Sequence, residues 1–420
     1  RGLGDVYKRQ IMKRLFLTIA MLGLCSSAFA GGYRVALQGV RQAAMGGVSA
    51  DARDASIAFY NPAGLAFVDS KLSISIGGFG VNTEAKWQDP LTLNKSVTDN
   101  KMSTPVYAAV SYKPVEDLAV AVSFTTPYGS SLTWPADWEN KANVTKIELK
   151  SFYIQPTVAY KFNDWFSAGV GLIFARGSVN LDRVVSVAGN DINLNINDKD
   201  ATGKGFNIGA YFKPSEKLAV SIAYKSKVDM EANKGDLTWE NVPRVLQTNP
   251  NFMVNKFNAS LPLVSEFTFG IAYRPIEKWL IGADVMVNGW SRYKRLTFDL
   301  YNEQTGEGYQ NIATKEFKDV AIWRVGTEYA FTDMILGRVG YTYDPSPVRS
   351  EYWSSETPST TQHTISGGLG FKFANGFYLD LMGQYLIGTE RYVHNIESNF
   401  QGDFKLKALN FGLGLTYNLK

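Results

Sequence analysis

Side chains able to do covalent chemistry are few, and none stands in company that would activate it. The 420-residue chain has two histidines and one cysteine. His363 and Ser366 are the best base and nucleophile for a hydrolase, but residues three apart on a strand face opposite sides. His394 has Glu390 and Glu397 nearby, at a loop where such company is ordinary. Cys25 falls inside an N-terminal export signal, so the mature chain is expected to hold no thiolate nucleophile, disulfide or thiolate metal site. A lipoprotein would instead begin at Cys25, for which Leu24 is a poor preceding residue. No phosphate loop, nucleotide fingerprint or metal spacing is found, and no cofactor or metal is expected. What remains is noncovalent recognition. Apolar loop residues, namely Trp134, Trp138, Phe252, Met253 and Phe257, are candidates for a ligand pocket. Glu266, Asp284, Arg324, Glu328, Arg338 and Asp380 are charges expected on inward strand faces, costly in a membrane unless solvated or paired.

The elements that must position these residues follow from pattern. Residues 1–11 precede the first Met and read as upstream read-through or non-native sequence. Residues 12–30 have the grammar of a signal peptide: Lys13 and Arg14, an apolar run from Leu15 to Leu24, and Ala28-Phe29-Ala30 at the cleavage site. After it no apolar run is long enough for a transmembrane helix. The excess of glycine and aromatics, 38 Gly, 25 Phe, 22 Tyr and 9 Trp, is that of a membrane barrel. A net charge of +4 without a basic block argues against nucleic acid.

Strands show as alternation with period two. Leu409, Phe411, Leu413, Leu415, Tyr417 and Leu419 alternate with Asn410, Gly412, Gly414, Thr416 and Asn418. Short turns at 114–117, 163–164, 214–217, 275–278, 332–333 and 375–376 are each led by an aromatic residue. Six such turns imply seven hairpins, hence an all-β, antiparallel transmembrane barrel of about fourteen strands. Longer polar connections, near 94–101, 188–200, 234–258, 302–315 and 345–361, are expected outside. Between residues 31 and 68 alternation fails, and small residues, charges and turn formers predict short helical pieces folded into the lumen as a hatch. The barrel is then expected over 69–420.

Asn61-Pro62-Ala63, followed by Gly64 and Leu65 ahead of the first strand, resembles the NPA motif in the hatch of the FadL/TodX-type outer-membrane transporters of long-chain fatty acids and other hydrophobic compounds. The similarity runs over nearly all of the expected mature chain. Pro127-Tyr128-Gly129 with Trp134 and Trp138, Asp284 with Trp290-Ser291, and Arg338-Val339-Gly340-Tyr341 are further matches. The resemblance implies outer-membrane uptake of hydrophobic small molecules, long-chain fatty acids or aromatic hydrocarbons, through an apolar pocket on the outer side. It also implies lateral exit where a kink in strand three opens the wall, and Pro127 and Gly129 stand where that kink belongs. The implied partners are the ligand, outer-membrane lipid and lipopolysaccharide, and the barrel assembly machinery, with a monomeric barrel. Many such barrels finish on an aromatic residue, whereas this sequence finishes on Lys420. A general aqueous porin is the nearest alternative, lacking a hatch, and an outer-membrane hydrolase is the remote one.

Overall fold

A computed structural model describes residues 32–187 and 189–420. The expected leader and the residues before it lie outside the described residues. Fourteen strands close into one antiparallel sheet. The first half comprises β1 (Leu72–Gln88), β2 (Lys95–Val97 and Val106–Val115), β3 (Leu118–Thr125 and Gly129–Thr133), β4 (Lys146–Asn163), β5 (Phe166–Val187), β6 (Asn190–Ser215) and β7 (Leu218–Lys225 and Val228–Glu240). The second half comprises β8 (Lys256–Leu263 and Glu266–Ile276), β9 (Trp279–Asn288 and Arg295–Tyr301), β10 (Gly308–Thr314 and Val320–Ala330), β11 (Ile335–Asp344), β12 (Gln362–Lys372), β13 (Phe377–Gly388 and Arg391–Asn395) and β14 (Phe400–Leu419). Each pairs with its sequence neighbours, and β14 returns to β1 in unbroken register from Leu72 opposite Leu419 to Gln88 opposite Asp403.

Closure has a direct physical cause. A sheet in lipid must leave no edge, because an unpaired backbone group there has no water to turn to. The alternation supplies the rest. On β14, Leu409, Phe411, Leu413 and Leu415 are 43–54% exposed and point outward, while Asn410 between them is 1% exposed. The outward apolar run from Leu409 to Leu419, inclined as barrel strands are, covers roughly 25 Å, the thickness of the apolar band of an outer-membrane barrel. Every expected short turn joins two strands at one end, with Phe162, Trp165, Phe166 and Phe212 packed ring to ring beside one of them.

At the other end the expectation needs correcting. The polar stretch 188–200 is strand from Asn190 onward, and 234–240, 256–258 and 308–314 are strand as well, so the loops there are shorter than expected. The β5–β6 hairpin keeps its ladder up to Val187 opposite Asn190, with Ile192, Leu194 and Ile196 buried. Alternating Asn and Asp made this segment look like loop, yet they occupy the wetted face of a wall that rises beyond the apolar band.

Inside the ring lies the chain from 32 to 68, built of Val40–Ala44 and the 3-10 turns Ala55–Phe59 and Pro62–Phe67. Asp54 and Asn61 cap the two turns by accepting from Ser56 N and Ala63 N, both at 2.9 Å, and Pro62 starts the second with a residue that has no amide proton to leave unsatisfied. Two cross-strand glycine pairs seat the segment. Gly169 on β5 faces Gly209 on β6, beneath Asn61, Pro62 and Ala63; Gly326 on β10 faces Gly340 on β11, against the backbone of Met45 and Gly46. A Cβ at any of the four would overlap the segment.

Replacing Gly340 by Leu should therefore expel the segment locally, at a cost of about 1–3 kcal/mol, while β11 keeps its ladder. The expected readout is faster proteolysis within residues 40–55 of the folded, heat-modifiable barrel; unchanged protection would contradict this seating.

Candidate functional site

An apolar cavity of ≈ 160 Å³ lies in the outer half of the lumen, against β4 to β10. Its wall includes Tyr33, Tyr128, Ile147, Leu149, Ile196, Met230, Phe257, Leu263 and Phe298, with Arg183, Lys315 and Glu356 as polar members. Below the cavity the inward face is polar, as alternation requires. Beside it, inward positions of β4 to β8 are apolar too, so these strands are apolar on both faces. That double-sided pattern was the sequence signal of the cavity, and loop aromatics were not.

Of the five residues singled out for a pocket, Phe257 lines the cavity and the other four do not. Trp134 and Trp138 stack face to face, centroids 4.0 Å apart, in an aromatic cluster with Trp87, Trp353, Phe400 and Phe404. That cluster ties outer loops together above β1 and β14. Phe252 packs edge-on against Trp239, and Met253 is 44% exposed. Large loop aromatics find each other because mutual burial is worth more than exposure, which composition alone does not reveal.

The backbone ladder of the wall is interrupted next to the cavity. The backbone ladder between β2 and β3 stops at Ala108 opposite Phe124, and β3 breaks between Thr125 and Gly129. Pro127 sits in the break, where its missing N–H costs the ladder nothing. Gly129 is not among the glycines of positive φ, so it resumes the strand without left-handed backbone. Residues 33–35 take up the abandoned edge: Val35 N donates to Pro127 O at 2.7 Å and Gly129 N donates to Tyr33 O at 2.9 Å, with Arg34 opposite Tyr128. Tyr33 thus lines the cavity and stitches the break at once. Its hydroxyl donates to Pro262 O, and its ring meets Trp290 edge-on at 5.1 Å.

The inward charges divide into two groups. Near the short-turn end, Glu328 accepts from Arg41 at 3.3 Å, Arg53 at 2.5 Å and Arg338 at 2.7 Å; Arg338 also reaches Asp380 at 2.6 Å. Asp51 joins this lattice through Arg41, and through Arg274 at 2.7 Å. Burial alone would raise the Asp51 carboxyl, but Arg41, Arg53 and Arg274 hold it well below the usual carboxylate range. Higher up, Glu266 lies between Lys225 at 3.2 Å and Arg34 at 3.6 Å, and Arg324 donates to Gly47 O at 3.1 Å. Asp284 is buried near Ser49 on the same wall. Opposite, Asn61 Nδ2 donates to Ala210 O at 2.9 Å and Ser221 Oγ at 2.8 Å, while Ser167 Oγ donates to Ala63 O at 2.8 Å. Gly64 packs against Ile57. The segment 32–68 is therefore pinned by charge to one wall and by amide and hydroxyl bonds to the other.

His363 lies on the outward side, its Nδ1 2.7 Å from the Tyr341 hydroxyl, whereas Ser366 Oγ points inward and donates to Ala44 O. The two cannot act together.

The profile of the family described as outer membrane protein transport protein (OMPP1/FadL/TodX) matches residues 21–419. A long-chain fatty acid transport protein of Escherichia coli O6:H1 is 21% identical over 310 residues, 66% of this chain and 68% of its own length. A Pseudomonas aeruginosa FadL homologue superposes with a TM-score of 0.81 at 17% identity, covering 93% of this chain and 100% of its own. The toluene transporter TodX of P. putida gives 0.73 at 14% identity, covering 91% and 98%.

Glu328→Gln leaves three arginines facing a neutral amide and should loosen segment 32–68 by about 3–5 kcal/mol, the usual cost of breaking a buried charge set from one side. Protease protection of the segment in the folded barrel is the measurement. A carboxylate depressed on folding lends stability above its unfolded pKa and loses it as pH falls through the folded one. Because Asp51 is depressed, its contribution to protection should persist from neutral pH down to about pH 4, through the ordinary carboxylate range. In Asp51→Asn, protection should be lower at neutral pH; equal protection in the two proteins would remove Asp51 from the lattice's role.

Proposed function

Since the chain belongs to the outer membrane protein transport family (OMPP1/FadL/TodX), transporters of hydrophobic compounds in the bacterial outer membrane and not enzymes, we propose that it takes up a hydrophobic small molecule through the apolar cavity and releases it sideways between β2 and β3. Segment 32–68 acts as the hatch that forces this route, with Asn61-Pro62-Ala63-Gly64 as its foot on β5 and β6.

The observation that carries the reading is the adjacency of the apolar cavity and the interrupted ladder, with Tyr33 belonging to both. A hydrophobic solute gains by staying out of water, at roughly 25 cal/mol for each Å² kept buried. A path from the cavity past the β3 break into the apolar band never requires it to cross the charged lattice below. An aqueous porin would need an open lumen, and here that space is occupied by Arg41, Asp51, Arg53 and Glu328. The cavity's size bears on the ligand. Apolar cavities of roughly 150 Å³ stay dry and accept benzene, so this one takes an aromatic ring or an equivalent length of acyl chain. Long-chain fatty acid transport and toluene transport are the activities named for the relatives, and both ligands satisfy that shape.

Release requires residues 33–35 to leave the β3 edge, which frees the gap and removes the Tyr33 ring from the cavity wall in one movement. Arg34 and Tyr128 form a non-hydrogen-bonded antiparallel pair, with Cα atoms ~4.5 Å apart in that geometry, close enough for a disulfide. In the double variant Arg34→Cys, Tyr128→Cys, uptake of a labelled monoaromatic or fatty acid should fall at least tenfold on oxidation and return with reductant, while the single variants transport in both conditions. Transport by the oxidised, properly inserted double variant at the reduced rate would exclude the lateral route. Separately, Ala232→Trp fills the cavity and should abolish ligand binding to the purified barrel without altering its heat-modifiable mobility.

A further inference from the structure

On the outward face of β5 and β6, the apolar band ends at two cations. Val170, Leu172 and Phe174 on β5, and Ile208 and Phe206 on β6, are 40–55% exposed and face outward. The next outward residues toward the long-hairpin end are Arg176 and Lys204, both exposed. The register places Arg176 opposite Thr202 and Lys204 opposite Phe174, so the two cations are diagonal neighbours on one face. Diagonal side chains across antiparallel strands stand about 7–8 Å apart at Cα, a spacing at which two long cationic side chains converge on a single anion.

The neighbouring cations are already engaged. Lys150 on β4 lies 3.6 Å from Glu148, and Lys227 on β7 is paired with Asp229. Glu231 on β7 stands opposite Thr202 on the other side, as near to Lys204 on the diagonal as Arg176 is, and is the carboxylate a phosphate would have to outcompete. Among the described residues Arg176 and Lys204 form no salt bridge. Two unengaged cations immediately above an apolar band have an obvious counterpart in an outer membrane, because that height is the headgroup level of its outer leaflet. The long hairpins mark this end as the outer one.

We propose that Arg176 and Lys204 form a seat for a phosphate of the phosphorylated glycolipid of the outer leaflet, the lipid A portion of lipopolysaccharide, with its acyl chains lying along Leu172, Phe174 and Phe206. Arg176 supplies the planar fork that phosphate oxygens match in pairs, and Lys204 supplies a point charge. Thr202, opposite Arg176 and also outward, adds a hydroxyl at the same level. The seat is independent of the cavity and the β3 break, so its failure would leave the transport reading untouched.

The test uses the purified full barrel in detergent, titrated with bisphosphoryl lipid A, monophosphoryl lipid A or phosphatidylglycerol, with bound lipid counted by native mass spectrometry. Each cation near an anionic headgroup is worth about 1 kcal/mol, about fivefold in affinity. Arg176→Gln with Lys204→Gln should therefore weaken bisphosphoryl lipid A roughly 25-fold, and each single change about fivefold. The same substitutions at Lys405 and Lys407, already paired with Glu390 and Glu84, should do much less. Both positions face outward from a ladder they do not interrupt, so the variants should keep parental heat-modifiable mobility. Lipid removal by phosphatase treatment of the bound species provides a second readout on the unmutated barrel. Equal binding by the double variant, insensitivity of the parent to dephosphorylation, or equal affinity for phosphatidylglycerol would each overturn the assignment.

Discussion

The backbone's demand for hydrogen bonds in a medium that offers none governs this molecule. It forces the sheet to close, it accounts for the unbroken register between β14 and β1, and it makes the interruption between β2 and β3 an expensive object. The interruption is tolerated because another piece of the same chain lies on it. Val35 and Tyr33 satisfy donors and acceptors around Pro127 that β2 has abandoned. The wall is thus continuous in hydrogen bonding and discontinuous in covalent order, and the patch that makes it whole belongs to a segment otherwise lodged in the lumen.

Closing a barrel of this girth creates a second problem, a bore that side chains of the wall cannot fill. The lumen segment fills it with small apolar clusters, such as Val40, Phe59, Phe79 and Tyr107, set between two polar attachments. On one side guanidinium and carboxylate groups of Arg41, Asp51, Arg53, Glu328, Arg338 and Asp380 neutralise one another at short range. On the other, glycines strip the wall to its backbone so that Asn61 and Ala63 lie directly on β5 and β6. The most extensive apolar cluster lies in the outer half, where the cavity is. The lumen is thus divided along its axis, with a charged lattice near the short turns and an apolar cavity nearer the long hairpins.

Much of the framework was legible in sequence because barrels advertise themselves with period two and with short turns, as at Asn163-Asp164 and Asn375-Gly376. The polar rises of β5 and β6 were not, since Asn and Asp are common both in loops and on strands that face water on one side. Pro127 was legible as a break, because proline cannot donate to a ladder. Its neighbour Gly129 resumes the strand without a left-handed backbone. The loop aromatics were read as ligand contacts; Trp134 and Trp138 instead satisfy one another. Nothing in a one-dimensional pattern distinguishes an aromatic that awaits a guest from one that has found a neighbour. The inward apolar residues of β4 to β8, Ile147, Leu149, Ile196, Met230 and Leu263 among them, carried the information, because an inward face that should be polar had no other reason to be greasy.

The seam between the first and last strands also has a bearing on time. Residues 32–68 leave the ribosome before any strand, and they end up touching strands from β1 to β14, with the glycine floors in backbone contact. A finished cylinder offers no clearance for such a guest to be threaded and rotated into place. An order in which the segment is in place before β14 zips to β1 avoids that difficulty. A stretch made before any strand would then serve as the mandrel around which the strands are wound.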